Sequence, residues 1–385
     1  MRLWPFRPRS PLIVAAAPPE DLLALEDLLR RNVENILVIR ERQLRGFTVA
    51  FGGDLLVSPP RALELLEARF KPYGYTPFLR REQGMVFVRA LPLAEVTETG
   101  NPVVNLLLFL ATCVSTLVAG AFFSGSPTFD AFRSSWVGAL FVSGVPFAAT
   151  LLATLGVHEF GHYFTARRYK ALVSLPYFIP APPPLFLFGT LGAIIKMRSP
   201  ARDRNSLFDI AVAGPLAGLV VAVPALLLGL SWSRVIPIPP DFGGVVFGNS
   251  LLMRWLVYAR FGQIPEGMTI YTHPVADAAW VGLFVTALNL FPVGQLDGGR
   301  IAYALFGAHH RKVSIATFVG LLLLGVFTGA LNWILWAALL FFLIGFHHTP
   351  PLNDLTPLSP GRRVLGAACL VLLILLIPPV PLVIR

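Results

Sequence analysis

The chain is poor in charge and in cysteine. Only 14% of its 385 residues are charged, 55% are hydrophobic and the mean hydropathy is +0.68. A soluble globular chain carries about a quarter charged residues, so this is the composition of a polytopic membrane protein. The two cysteines, Cys113 and Cys369, both lie in apolar runs. Two are too few for a disulfide scaffold or a cysteine-based metal site, and both read as packing residues. No histidine or cysteine precedes Cys113, so the first hundred residues hold no catalytic constellation. A signal peptide is not expected, because the apolar stretch near the N-terminus is short and soon followed by acids. Nor does the start have the long Ser/Arg-rich character of an organelle leader.

Acidic charge is scarce where the chain is most apolar. Residues 1–99 hold 14 Lys/Arg against 12 Asp/Glu, and residues 100–385 hold 17 against 9. The basic excess therefore sits on loops between apolar runs, where it sets topology and gives no reason to expect nucleic-acid binding. Spans are expected at about 102–123, 137–160, 207–230, 275–294, 313–330, 331–346 and 364–381. Residues 245–258 are apolar but interrupted, and read as interfacial or re-entrant. Loop 163–206 carries Arg167, Arg168, Lys170, Lys196, Arg198, Arg202 and Arg204, whereas loop 124–136 carries only Arg133. The positive-inside rule puts 163–206 and the N-terminus in the cytoplasm. A bacterial plasma membrane is the simplest location.

Residues 1–99 form a first domain, and 19–92 read as a small soluble α/β unit. Helices are expected at Glu20–Arg31 and Pro59–Phe70, with strands at Asn35–Glu41, Gly46–Phe51, Pro77–Arg81 and Met85–Ala90. A ferredoxin-like or related sandwich fits this order. Residues 100–385 form the second, membrane-embedded domain.

The apolar run Val137–Val157 leads into His158-Glu159-Phe160-Gly161-His162. Histidines four apart share one helix face and can reach one metal ion. The glutamate beside the first can serve as general base toward water. Ionisable groups at membrane depth are costly and point to function. Zinc needs a third protein ligand. His273 lies on the outer side, and His309-His310 and His347-His348 read as solvated loop residues. Asp277 falls at the outer end of its span, and Asp209 reads as a helix cap. Asp297 has the right depth, in Asn-Leu-Phe-Pro-Val-Gly-Gln-Leu-Asp-Gly-Gly-Arg over 289–300. There Pro292 and Gly294 interrupt the helix, and Gly298-Gly299 would let the chain turn sharply.

Pro176–Met197 is apolar but holds five prolines, so it is not a helix. It is either an interfacial loop or a re-entrant hairpin whose edge near Phe188–Ile195 pairs with an extended substrate.

HEFGH paired with NLFPVGQLDGG resembles the site-2 protease family of intramembrane zinc metalloproteases over roughly residues 150–310. GTLGAIIKMRSP, DIAVAGPLAG, HPVADAAWVGLFVTALNLFPVGQLDGGR and PLNDLT are similar to its EGY-type branch, of chloroplasts and bacteria, as far as about residue 360. The resemblance implies one Zn2+ per chain on His158, His162 and Asp297, with Glu159 as catalytic base and Asn289 polarising the scissile carbonyl. It also implies a membrane hairpin that binds substrate, here at Gly189, Thr190, Leu191 and Gly192. The expected protein is a helical polytopic membrane protein with about seven spans, a re-entrant hairpin and a small α/β domain. As a zinc metalloendopeptidase it would cut single-span membrane proteins within the lipid bilayer. A zinc or small-molecule transporter would also carry intramembrane His and Asp, but no permeation series or inverted repeat is visible. A pseudoprotease would lack a ligand, and none is missing. A protease of prenylated proteins lacks support, because the LDGG element belongs elsewhere.

Overall fold

The computed structural model describes residues 22–45, 47–92, 100–123, 135–183, 186–238 and 245–384. Glu20 and Asp21 of the first expected helix, Gly46, and loop residues 124–134 with Arg133 lie outside them. Helix α1 (Leu22–Val33), strands β1 (Leu37–Arg45) and β2 (Thr48–Leu55), helix α2 (Pro59–Phe70), and strands β3 (Tyr75–Glu82) and β4 (Met85–Pro92) make the N-terminal unit. Its sheet runs β1-β2-β4-β3, every neighbouring pair antiparallel. Strands β2 and β3, joined through α2, are therefore parallel with β4 between them. This is a ferredoxin-like split β-α-β arrangement with its first strand moved to the chain end. Leu29, Val33, Leu63, Leu66 and Phe70 from the helices close over Phe51, Leu79 and Val88 of the sheet.

The remainder is mainly helical. Helix α3 (Pro102–Phe123) precedes α4 (Val145–Arg168), and the β5 (Tyr177–Pro180) and β6 (Thr190–Ile194) hairpin follows. Next come α5 (Arg204–Trp232), β7 (Arg234–Pro237), β8 (Val245–Phe247), α6 (Leu251–Phe261), β9 (Met268–Tyr271) and α7 (Pro274–Asn289). Helices α8 (Asp297–Phe306), α9 (His310–Thr328), α10 (Leu331–Leu339) and α11 (Pro360–Leu376) and strand β10 (Leu382–Ile384) complete the chain. Each of the seven expected stretches contains a helix. Among the described residues, however, four helices are long and apolar enough to cross a membrane: Pro102–Phe122, Val137–Arg168, Arg204–Trp232 and Asp297–Thr328. Pro274–Asn289 and Leu331–Ile344 are apolar but shorter.

Helix α5 is the central post, packed along both α4 and α7. Phe147, Leu151 and Leu155 of α4, Phe208, Ala211 and Leu226 of α5, and Trp280 and Leu283 of α7 share one core. Large apolar side chains point outward around it, among them Val220, Phe327 and Phe342. Such a girdle suits lipid and would be unfavourable in water.

Asp209 does not cap α5. That role falls to Asp203, whose side chain accepts from the Ser206 N–H while Ser206 Oγ accepts from the Asp203 N–H. Asp209, a full turn further in, pairs with Arg362 of α11 at 2.7 and 2.6 Å and accepts from the Tyr169 hydroxyl just beyond α4. One carboxylate thus ties together three helix ends. Asp209→Ala should lose about 1–2 kcal/mol of stability, discounted for partial exposure. A lower thermal unfolding midpoint in detergent, with unchanged metal content, is the expected result.

Candidate metal centre

Helix α4 presents His158 and His162 one turn apart toward α5. Both are 3% exposed, and Glu159 between them is 5% exposed. The helices meet closely because α5 carries Gly214-Pro-Leu-Ala-Gly218 at the contact, a small-x-x-x-small spacing. A Cβ at Gly214 would lie 2.1 Å from His162 Nε2, and one at Gly218 would lie 3.3 Å from His158 Nδ1. The two glycines leave the space that the imidazole rings fill.

The orientation of His162 is fixed from behind. Its Nδ1 is 2.6 Å from the Ile210 carbonyl oxygen, which can only accept. Nδ1 therefore carries the proton, and the Nε2 lone pair faces the centre.

Asp297 arrives from the other side as the first residue of α8. Its Oδ2 is 3.3 Å from His158 Nε2 and 3.0 Å from His162 Nε2, and the two nitrogens are 3.2 Å apart. A tetrahedral zinc with bonds of about 2.0–2.1 Å sets its ligands about 3.3 Å apart. The donor set of two imidazoles and one carboxylate, with a fourth position free for substrate or water, fits that ion. Among the described residues these three form the one group of His, Cys, Asp or Glu side chains placed to hold a metal.

Gly298 and Gly299 do not form the expected sharp turn; both lie within α8. Their lack of a side chain serves close approach, since a Cβ on Gly298 would fall 1.8 Å from the Leu290 carbonyl oxygen. The turn is made earlier, at Gly294 with φ +52°. Ser314 of α9 pins that loop, donating to the Pro292 carbonyl at 3.1 Å and accepting from the Gly294 N–H at 3.4 Å. Asn289 ends α7 and is half-buried, eight residues before Asp297. Arg300, one turn into α8, lies 4.0 Å from Asp297 Oδ1.

The hairpin reaches the site. Asn105 of α3 donates to the carbonyls of Leu175 and Pro176, Phe109 meets Phe178, and Ser115 donates to the Gly189 carbonyl. At 1.5 Å per residue, the hairpin follows α3 for about 15 Å. Just past β6, the backbone N–H of Ile195 lies beside the Glu159 carboxylate. Leu191 and Ile194 are exposed, and a Cβ at Gly192 would meet nothing. Gly189 and Thr190 turn inward, Gly189 against α3 and Thr190 onto the Ile179 carbonyl.

Two of the four loop histidines expected to be solvated are not. His310 is buried, 3.3 Å from Ser314 Oγ. His348 stacks on Tyr303, and both of its ring nitrogens are buried without a partner. Burial, then Arg300 and His310 nearby, push its imidazole down to about 3, so it stays neutral. His309 and His347 are exposed. His273 caps α7 through Nδ1, and Asp277 accepts from Thr272 at 2.5 Å, so neither belongs to the centre. The residues that orient the ligands, Ile210, Gly214 and Gly218, were not anticipated, although the glycine spacing carried a packing signal.

Residues 146–331 match the family model for Peptidase family M50. The chain is 34% identical over 243 residues to the probable zinc metalloprotease EGY1, chloroplastic, of Arabidopsis thaliana, covering 62% of this chain and 43% of that protein. It is 31% identical over 378 residues to the protein of the same name from Oryza sativa subsp. japonica, covering 91% of this chain and 61% of that one. With the probable zinc metalloprotease EGY2, chloroplastic, of Oryza sativa subsp. indica, it shares 33% over 251 residues, covering 63% and 44%. The chain thus spans about half the length of these relatives. No solved structure matches it.

Gly214→Ala places its Cβ in the space of His162 and should cut bound metal to below about a tenth of the wild-type content, on the scale of a lost ligand shell. Gly320→Ala, where a Cβ meets nothing, should leave it unchanged. Metal analysis of the purified variants reads both.

Proposed function

We propose, from the match of residues 146–331 to peptidase family M50, that the chain is an intramembrane zinc metalloendopeptidase of the EGY type. The observation that carries the reading is the buried group of His158, His162 and Asp297 with Glu159 beside it. His158, His162 and Asp297 would hold one zinc ion per chain. Zinc, when bound, supplies Lewis acidity toward a carbonyl and makes water a better acid.

Glu159 takes the proton of the attacking water and hands it to the leaving amine, so that water is added across the C–N bond. Asn289, at the end of α7, donates its amide to the oxygen that becomes negative. A helical substrate hides its amides in its own hydrogen-bond ladder and must unwind first. The open edge of β6, from Leu191 to Ile194, offers that unwound segment a strand partner.

Its substrates are single-span membrane proteins, cut in or near the span as a step of regulated proteolysis. The basic loops support an active-site end and an N-terminal domain (residues 1–99) on the cytoplasmic side of a bacterial plasma membrane. Residues 100–385 form the protease domain, with α7, α10 and α11 completing about seven spans and the hairpin re-entering from the cytoplasmic side. A transport pathway would need polar groups in series across the membrane, and the described residues offer one group placed to hold a metal.

Glu159→Gln should lower cleavage of a single-span substrate by about 10²–10⁴-fold with zinc content unchanged. Asn289→Ala should cost about 10²–10³-fold. Full activity of Glu159→Gln in a detergent assay would remove the assigned base.

A further inference from the structure

The segment before α11 lies between two parts of the chain far apart in sequence. The N–H groups of Leu352 and Asn353 donate to the carbonyls of Ala201 and Arg202, both at 2.9 Å, on the approach to α5. On its other side the Leu79 N–H donates to the Leu352 carbonyl at 2.7 Å, and the Asp354 N–H donates to the Leu79 carbonyl at 2.9 Å. The segment thus adds to the free edge of β3 in parallel register. Leu352 and Leu355 sit in the core of the N-terminal domain.

Asp354 then turns its carboxylate inward, where it is 8% exposed. Oδ1 accepts from Arg204 Nε at 2.7 Å, Oδ2 accepts from the Tyr303 hydroxyl at 3.0 Å, and Arg80 of β3 lies 4.0 Å away. Arg204 opens α5, the helix whose Ile210 carbonyl orients His162. Tyr303 lies less than two turns after Asp297 on α8. The two helices that aim the metal ligands therefore share one anchor, and that anchor is hydrogen-bonded into the edge of the N-terminal sheet.

We propose that Asp354 is a positioning residue of the metal centre, holding α8 through Tyr303 and α5 through Arg204, and that the seating of the N-terminal domain on Leu352–Asp354 sets the geometry of the site. The catalytic part rests on the reading of the chain as a zinc protease; the mechanical part does not. None of the described residues of the domain belongs to the metal group, and the domain acts through this anchor. Linkage makes the effect reciprocal: whatever tightens the metal centre also tightens the β3 edge, and the converse.

Tyr303→Phe and Asp354→Asn test it in the full-length protein. The phenylalanine keeps the ring that stacks on His348 and removes only the hydroxyl, so folding should persist. Loss of an outer-shell partner costs about 10–100-fold in metal affinity or activity. Zinc release to a chelator should accordingly speed up about tenfold in both variants, with kcat lowered about tenfold and KM unchanged. The visible spectrum of the cobalt-substituted protein should shift, which a general loss of stability would not produce. In hydrogen exchange, metal removal should raise exchange at the Leu79 and Asp354 amides of the wild type, and Tyr303→Phe should raise it there and across Asp297–Phe306 without metal removal. Wild-type zinc release and wild-type exchange at Leu79 in both variants would overturn the proposal. A wild-type chain that cleaves no substrate counts against the protease reading alone, because metal release and exchange still report on the anchor.

Discussion

Three lone-pair donors 3.0 to 3.3 Å apart, buried among apolar helices, repel one another unless a cation lies between them. Low local polarity sharpens that repulsion and equally strengthens the attraction to a bound ion. The surrounding structure is arranged around this one electrostatic demand. Gly214 and Gly218 let α5 approach the imidazoles, the Ile210 carbonyl holds one ring in the metal-binding tautomer, and the pinned loop before α8 delivers the carboxylate. Each of these features is a matter of backbone position, and none could be supplied by a longer side chain in the same place.

What the sequence disclosed and what it hid follow from the range of the interactions. His158, Glu159 and His162 were legible because four-residue spacing on a helix is a local rule, and Asp297 because intramembrane acids are few. Apolar runs disclosed the helices for the same reason. Asp209 was misread as a cap because its true partners, Tyr169 and Arg362, lie 40 and 153 residues away. His310 and His348 looked solvated because basic and proline-rich neighbours surround them in sequence, whereas in space they close on Tyr303. Gly298 looked like a turn residue, and is needed because the Leu290 carbonyl passes beside it.

The N-terminal sheet shows the same limit. Its strands could be read from their own residues, but not the addition of Leu352–Asp354 to its edge, a pairing that spans about 270 residues and leaves no local trace. That pairing also covers β3, an edge that would otherwise be open to association with other chains.

The Ile195 N–H beside the Glu159 carboxylate sets the end of the hairpin next to that side chain. If β6 takes the unwound substrate as a further strand, the distance along the ladder from that strand to Glu159 is fixed by backbone geometry. Strand pairing reads main-chain groups, which every residue but proline offers alike. The bond that is cut would then be chosen by counting residues from where the substrate helix opens, much as a ruler measures from its end. Such an enzyme would accept unrelated sequences yet cut each at a definite place.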